Sequence, residues 1–265
     1  MVTYLGLGMI IGVILALTGA GGGILAVPML VFGAQLEITQ AAPVGLLSVG
    51  MAALLGAGIA LRSGAVRYRA ALLIALAGAL VSPFGAEIAR ATDTRWLSML
   101  FALVLLFVAW RAFHHGSAAA KRRAAPARLP PCVRAEADGR FVWTSRCART
   151  LAAAGAIAGL LSGVLGVGGG FVMVPALQRH TDLDMQSIVP TSLAVIALLS
   201  GAGVVTSAFA GHLDWMVAMP FAAGTLAGMM AGRLAASRLS GARLQKAFAL
   251  AAAVVAAVML TKAIA

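Results

Sequence analysis

Two short segments hold the residues of this chain that are best suited to bind a ligand. The first spans residues 19–23 and the second residues 166–170, and each contains four glycines in five positions. Glycine has no Cβ atom, so the backbone N–H groups of consecutive glycines can point directly at a ligand. A helix that begins just after such a segment adds the positive end of its dipole, which favours an anion. The two segments therefore predict a pair of anion-binding elements and no catalytic centre.

Prolines accompany both segments at matching positions, and hydroxyl side chains lie near them in the sequence. For the prolines that begin later spans, two roles stay open: the first residue of a helix, or the release of backbone amides that complete the anion site together with nearby hydroxyls. Candidate hydroxyl donors are Thr18, Ser48, Ser162, Thr191 and Ser192. The predicted substrate-binding set is Gly21, Gly22, Gly23, Pro28, Pro43, Ser48, Gly168, Gly169, Gly170, Pro175, Pro190, Thr191 and Ser192.

The glycine segments belong to a longer internal repeat. Residues 8–30 and 155–177 align without gaps at an offset of 147 residues, with ten of 23 positions identical. The same offset continues to pair prolines and glycines further along the chain, including Pro43 with Pro190 and Gly85 with Gly232. The sequence therefore predicts two copies of one unit.

The composition indicates an integral membrane protein. The chain is 62% hydrophobic and 11% charged, with a mean hydropathy of +0.99, which leaves too little polar surface for a soluble domain. Long apolar runs favour helices over a β-barrel. The net charge of +12 lies in loops, so we attribute it to orientation in the membrane and not to nucleic acid. Cys132 and Cys147 are spaced unlike a metal or redox pair and are expected to be ordinary thiols.

We predict an all-α polytopic membrane protein built from two inverted repeats. Each repeat contains a glycine-broken helical hairpin, re-entrant or split, followed by three transmembrane helices. As one straight helix, residues 4–34 would extend about 46 Å, well beyond the roughly 30 Å hydrocarbon core. The predicted divisions are a first repeat (1–113), a basic cytoplasmic linker (114–149) and a second repeat (150–265). The predicted complete spans are 42–61, 70–89, 96–113, 188–210, 215–234 and 246–263.

The positive residues favour hairpins that begin and end on the same side of the membrane. That arrangement puts 17 Lys and Arg residues on one side and three on the other, whereas single crossings give 13 and seven. The positive-inside rule prefers the first distribution. It predicts a cytoplasmic linker and two periplasmic termini, but it does not fix how deeply the hairpins cross.

Other interpretations of the same residues differ in how well they fit. Gly8 and Gly12, like Gly155, Gly159 and Gly163, have the four-residue spacing of tightly packed helices. The triple glycines do not fit a dinucleotide-binding pattern, and no cofactor or metal is expected. A passive anion channel stays open as an alternative to a transporter, because inverted repeats and helix-dipole sites serve both. A homodimer and the identity of a coupling ion, proton or sodium, also stay open.

The doubled Gly-x-Gly-Gly-Gly-x-x-x-Val-Pro-x-Leu segment resembles the sulfite exporter TauE/SafE family of membrane permeases. The resemblance covers about residues 4–110 and 150–263, and it includes the span that begins Pro190-Thr191-Ser192-Leu193. It implies transport of small sulfur-containing anions, such as sulfite, thiosulfate or organosulfonates, across the bacterial inner membrane, with lipid as the surroundings and no enzymatic activity. The first repeat departs from the pattern, with Val44-Gly45-Leu46 in place of Thr-Ser-Leu.

Overall fold

The computed structural model describes residues 1–18, 21–121, 131–132, 143–209, 211, 213–236, 250 and 252–259. The regular elements within these ranges are α-helices, which confirms the all-helical prediction. A further helical stretch covers residues 252–259. The helices are α1 (Val2–Thr18), α2 (Gly21–Gly33), α3 (Ile38–Arg62), α4 (Tyr68–Ala91), α5 (Thr94–Lys121), α6 (Ser145–Leu165), α7 (Gly170–His180), α8 (Met185–Phe209) and α9 (Trp215–Ala236).

Five of the described helices are long and apolar enough to cross a membrane. They are α3, α4, α6, α8 and α9, whereas α1, α2 and the apolar part of α5 are shorter. Large apolar side chains lie exposed along one face of α4, at Leu72, Leu76, Leu80, Phe84 and Ile88. Their four-residue spacing marks a stripe that faces lipid.

The glycine segments interrupt the chain where the sequence predicts. α1 ends at Thr18 and α2 begins at Gly21, while α6 ends at Leu165 and α7 begins at Gly170. Gly19 and Ala20 lie outside the described residues. Each repeat thus opens with two consecutive helices separated at its glycines.

In the first repeat, α2 runs back along α1. A Cβ atom built on Gly22 would lie 2.6 Å from the amide nitrogen of Leu15, and one on Gly33 would lie 2.8 Å from a methyl group of Leu7. The contact position on α1 moves toward its beginning as α2 proceeds. The two helices therefore form an antiparallel hairpin.

The second hairpin returns in the same way, and its two ends meet at Cys132. Near the break, a Cβ atom on Gly169 would lie 2.6 Å from the carbonyl oxygen of Ala158 in α6. At the other end, the Cys132 amide donates to the His180 carbonyl at 3.1 Å. Cys132 is also joined to Cys147 near the beginning of α6. We call this end of the bundle, defined by Cys132, Cys147 and His180, the linker end.

The expectation that the two cysteines are ordinary thiols is wrong. Cys132 and Cys147 form a disulfide with an S–S distance of 1.97 Å, and both side chains are fully buried. Their spacing in sequence gives no hint of this pairing, because it depends on the linker residue docking between the beginning of α6 and the end of α7. Most of the predicted linker, at 122–130 and 133–142, lies outside the described residues, whereas α5 and α6 extend into its two ends.

The corresponding helices α3 and α8 pack against each other at the centre in opposite directions. A Cβ atom built on Gly203 of α8 would lie 3.0 Å from Leu46 of α3. Cβ atoms on Gly50 and Gly56 of α3 would lie 2.8 Å from Ser200 and 3.0 Å from Leu193. Positions therefore decrease along α8 as they increase along α3. The most extensive remaining contacts join α1 to α9 and α4 to α6, so the first helix of each repeat packs on the other repeat.

Small residues allow these inter-repeat helices to approach backbone to backbone, as the glycine spacing predicts. Gly8 and Gly12 of α1 meet the backbone of α9, and Gly155, Gly159 and Gly163 of α6 meet the backbone of α4. Gly159 lies directly against Gly78. Packing of this kind is a main source of helix association where no hydrophobic force acts between helices.

Pro43 and Pro190 are not the first residues of their helices, which corrects that interpretation. Each is the sixth residue, because α3 begins at Ile38 and α8 at Met185. A proline there removes the hydrogen bond to the carbonyl four residues earlier. Those carbonyls belong to Thr39 and Gln186, both exposed, so solvent or lipid headgroups can reach them.

Candidate substrate-binding site

The break between α6 and α7 places irregular backbone in the middle of the bundle. Gly166, Gly168 and Gly169 have positive φ angles of 66°, 72° and 65°, a region that side chains with a Cβ atom rarely adopt. Residues 166–170 are all buried. Irregular backbone survives at membrane depth only inside protein or along a polar cavity, so the glycines build a feature that a plain helix would not need.

The N-terminus of α7 opens at this break. The Gly166 amide donates to Ser162 at 2.8 Å, and the Val172 amide donates to Gly169 at 3.2 Å. Neither bond uses the N–H groups of Gly168, Gly169 or Gly170, and the first N–H groups of any α-helix have no partner within it. The break therefore offers backbone donors together with the positive end of the α7 dipole.

Residues from α3 and α8 enclose this N-terminus. A Cβ atom on Gly168 would lie 2.5 Å from the Ser200 Oγ, 3.5 Å from Ile196 and 3.9 Å from Leu46. Ile196 and Ser200 are close to the midpoint of α8. The break consequently lies about halfway along the central helices, and the atoms nearest to Gly168 belong to uncharged side chains.

The two breaks meet at this centre. A Cβ atom on Gly23 would lie 3.2 Å from the Val167 carbonyl oxygen and 3.3 Å from a methyl group of Val49. Gly22 instead packs against α1, and residues 22–24 near the beginning of α2 are buried. The structure thus brings Gly23 next to the second break, where Gly168, Gly169 and Gly170 lie, whereas Gly22 faces α1.

The predicted hydroxyl donors are mostly committed to their own helices. Ser48 donates to Val44 at 2.7 Å and Thr18 to Ile14 at 2.7 Å. Ser192 donates to Val189 at 2.8 Å. Such bonds to the preceding turn are the usual arrangement of buried serine and threonine in helices.

Thr191 serves a different part of the fold. Its hydroxyl donates to the Ser187 carbonyl at 2.6 Å and accepts from the Arg67 amide at 3.1 Å. Arg67 occupies the N-cap position of α4. Thr191 therefore joins α8 to α4 toward the linker end, and the structure does not bring it to the break.

The four prolines lie inside helices, away from the break. Pro28 and Pro175 are in the middle of α2 and α7, and Pro43 and Pro190 lie near the beginnings of α3 and α8. Pro28 and Pro175 leave the carbonyls of Ile24 and Phe171, in the first turns of the half-helices, without the usual helical N–H.

Ser200 is the residue at this site that sequence reasoning missed. Its side chain is fully buried, and its Oγ has no hydrogen-bond partner in the structure. The corresponding position of the first repeat is Ala53, so the repeat pattern gives no signal. Among the described residues, no group of three or more His, Cys, Asp or Glu side chains is arranged to hold a metal ion.

Comparison with known proteins agrees with this architecture. The family model described as "Sulfite exporter TauE/SafE" matches residues 4–259. The chain belongs to this family. It is therefore a multi-pass membrane protein of a transporter family, as its repeat and its apolar helices indicate.

Curated relatives of the TauE/SafE chain are named as transporters. A "Probable membrane transporter protein" of Xylella fastidiosa (strain 9a5c) is 29% identical over 248 residues, covering 92% of this chain and 87% of the relative. The protein of the same name from strain Temecula1 is 30% identical over 247 residues, with the same coverage. "Probable membrane transporter protein YunE" of Bacillus subtilis (strain 168) is 25% identical over 238 residues, covering 87% and 85%. No solved structure matches the chain.

Proposed function

We propose that this protein is a secondary transporter that moves a small sulfur-containing anion, such as sulfite, thiosulfate or an organosulfonate, across the bacterial inner membrane. The observation that carries the proposal is the buried N-terminus of α7, which begins in the middle of the bundle directly after Gly168 and Gly169. The chain in which it lies belongs to the TauE/SafE family. A helix N-terminus in a low-dielectric interior stabilises an anion through backbone donors and the helix dipole.

The proposed mechanism is alternating access between two inverted repeats. Antiparallel packing of α3 on α8 and the two returning hairpins support inversion, since corresponding helices then run in opposite directions. In transporters of this construction, the substrate lies at the repeat interface near the membrane midplane, beside discontinuous helices. The approach of Gly23 to Val167, which brings the two breaks together, supports a site of this kind.

The close packing around the break favours a carrier over a passive channel. Residues 166–170 are buried, and those after the first break, 22–28, are buried too. A channel would need a continuous water-filled path past these residues, whereas a carrier passes through a state that is closed to both sides. A carrier also saturates and shows exchange between substrate on the two sides.

We propose that the linker end faces the cytoplasm and both termini face the periplasm. Chain direction brings these described arginines to the linker end: Arg62, Arg67, Arg69, Arg146, Arg149, Arg179 and Arg233. Arg90 and Arg95 fall at the opposite end. The asymmetry follows the positive-inside rule, although a disulfide is more common in the periplasm.

This orientation predicts that the Cys132–Cys147 pair is reduced in living cells and closes to the disulfide on oxidation. Cytoplasmic glutathione and thioredoxin keep thiols reduced. Cells would be quenched in acid and alkylated under denaturing conditions, and mass spectrometry should then find both cysteines alkylated. The variant Cys147→Ser, which keeps only Cys132, gives the signal of a single alkylated thiol for comparison. A disulfide already complete in the quenched cells would contradict the orientation and place the linker end in the periplasm.

The uncharged surroundings of Gly168 predict selectivity for singly charged anions. The cost of burying an ion rises with the square of its charge, and no cationic side chain is among the atoms nearest to Gly168 to offset that cost. Methanesulfonate and hydrogen sulfite, which carry one charge, should bind better than sulfate, which carries two. Thiosulfate also carries two charges and should bind more weakly than methanesulfonate.

Thermal unfolding of the purified protein with each of these four anions tests both the function and the selectivity. An anion at about 100 times its Kd should raise the Tm by roughly 5 to 10 °C. No stabilisation by any of the four would contradict the proposed substrate class. Stabilisation by sulfate equal to that by methanesulfonate would contradict the charge selectivity alone.

A further inference from the structure

Ser200 differs from the other buried hydroxyl residues of the central helices. Ser48 and Thr225 each donate to the carbonyl four residues earlier, at 2.7 Å in both cases. Ser200 is as deeply buried, but its Oγ makes no hydrogen bond within the described structure. A buried hydroxyl without a partner is unfavourable, and proteins rarely retain one without a use for it.

The Ser200 hydroxyl lies next to Gly168, where the absence of a Cβ atom leaves space. Its Oγ is the nearest atom to the missing Cβ of Gly168, at 2.5 Å, and the other two neighbours are methyl groups of Ile196 and Leu46. Gly168 has a φ of 72° and precedes the first residue of α7 by two positions. The hydroxyl therefore lies beside the beginning of α7, and the next two atoms nearest to Gly168 are apolar.

We propose that the Ser200 hydroxyl donates a hydrogen bond to the transported anion and is a substrate-binding residue. The inference rests on the proposed function, and it adds a side-chain donor to the backbone donors of Gly168–Gly170. A hydroxyl is suited to this role because it orients an oxyanion without adding a charge. The first repeat has Ala53 at the corresponding position, so the anion is held asymmetrically, by the second hairpin and α8.

The direct test is Ser200→Ala in the full-length protein, with methanesulfonate and hydrogen sulfite as probes. The variant should bind the better of the two anions roughly 10- to 100-fold more weakly, the loss expected for a hydrogen bond to a charged group. Without ligand its Tm should be unchanged or higher, because no folded-state partner of the hydroxyl is lost. A purely structural serine would lower the Tm on replacement.

The matched control is Thr225→Val, which removes a buried hydroxyl of α9 that is bonded to its own helix. It should retain wild-type affinity. Ser200→Cys preserves the size of the side chain with a weak donor and should also weaken binding; it replaces Ser200→Ala as the test if the alanine variant does not fold.

The outcomes separate this proposal from the proposed function. If the wild type binds an anion and both Ser200→Ala and Ser200→Cys bind it equally well, the role of Ser200 is overturned and the transporter assignment stays in place. No response of the wild type to either anion overturns both. Weakened binding in both variants, with Thr225→Val unaffected, establishes Ser200 as a ligand of the anion.

Discussion

Gly168→Ala should abolish anion binding and transport while the protein remains folded in the membrane. The new Cβ atom would lie 2.5 Å from the Ser200 Oγ, so the hydroxyl must move from the beginning of α7. The backbone would also be strained, since Gly168 has a φ of 72°, at a cost of roughly 1–2 kcal/mol. Together these effects predict a loss of about 100-fold or more in affinity. The side chain of Gly169→Val would clash with the Ala158 carbonyl, so this variant should lose at least as much affinity.

The control for backbone strain is Gly64→Ala in the turn between α3 and α4. Gly64 has a nearly identical φ of 69°, and a Cβ atom there would meet open space. It therefore imposes the same strain without touching the break. Thermal shift and flux should distinguish the two variants, with size-exclusion chromatography as the check on folding. If Gly168→Ala bound the anion as tightly as the wild type, the glycine break would not be part of the binding site.

Gly159→Leu should cause a large loss of stability. Its side chain would be driven into the backbone of Gly78, where α6 and α4 touch. Overpacking of this kind costs about 3 kcal/mol or more, which corresponds to a fall in Tm of roughly 10 °C. Leucine is a good helix former, so the loss would arise from packing between helices and not from helix propensity.

Gly58→Leu is the matched replacement on an exposed position of α3. No atom lies within 4 Å of a Cβ atom there, so the leucine side chain would extend into lipid. Its Tm should equal or exceed that of the wild type. A Gly159→Leu protein that unfolds at the wild-type temperature would show that the α4–α6 contact is not close-packed in the membrane.

Sequence reasoning located the hairpins well because their signal is local and doubled. Four glycines in five residues disfavour one continuous helix, and the 147-residue offset repeats the pattern with Pro28 and Pro175 in register. The spacing of Gly8, Gly12, Gly155 and Gly159 also predicted close helix packing, because small residues four apart share one face.

Three features depend on tertiary contacts and could not be predicted in this way. The disulfide exists because Cys132 docks between the beginning of α6 and the end of α7. Thr191 carries a hydroxyl in the resemblance motif, but its partner is the Arg67 amide of another helix. In the sequence, Ser200 cannot be distinguished from any other serine in a helix. Only its closeness to Gly168 in the structure indicates a role in binding.

Counterflow in proteoliposomes is the most direct test of the claim that a small sulfur-containing anion is carried through the glycine break. Vesicles loaded with unlabelled methanesulfonate or sulfite would be diluted into trace amounts of the radiolabelled anion. The wild type should transiently accumulate label above equilibrium, with saturation, and Gly168→Ala should not. Flux that rises linearly with concentration, no flux of either anion, or normal counterflow by Gly168→Ala would contradict it.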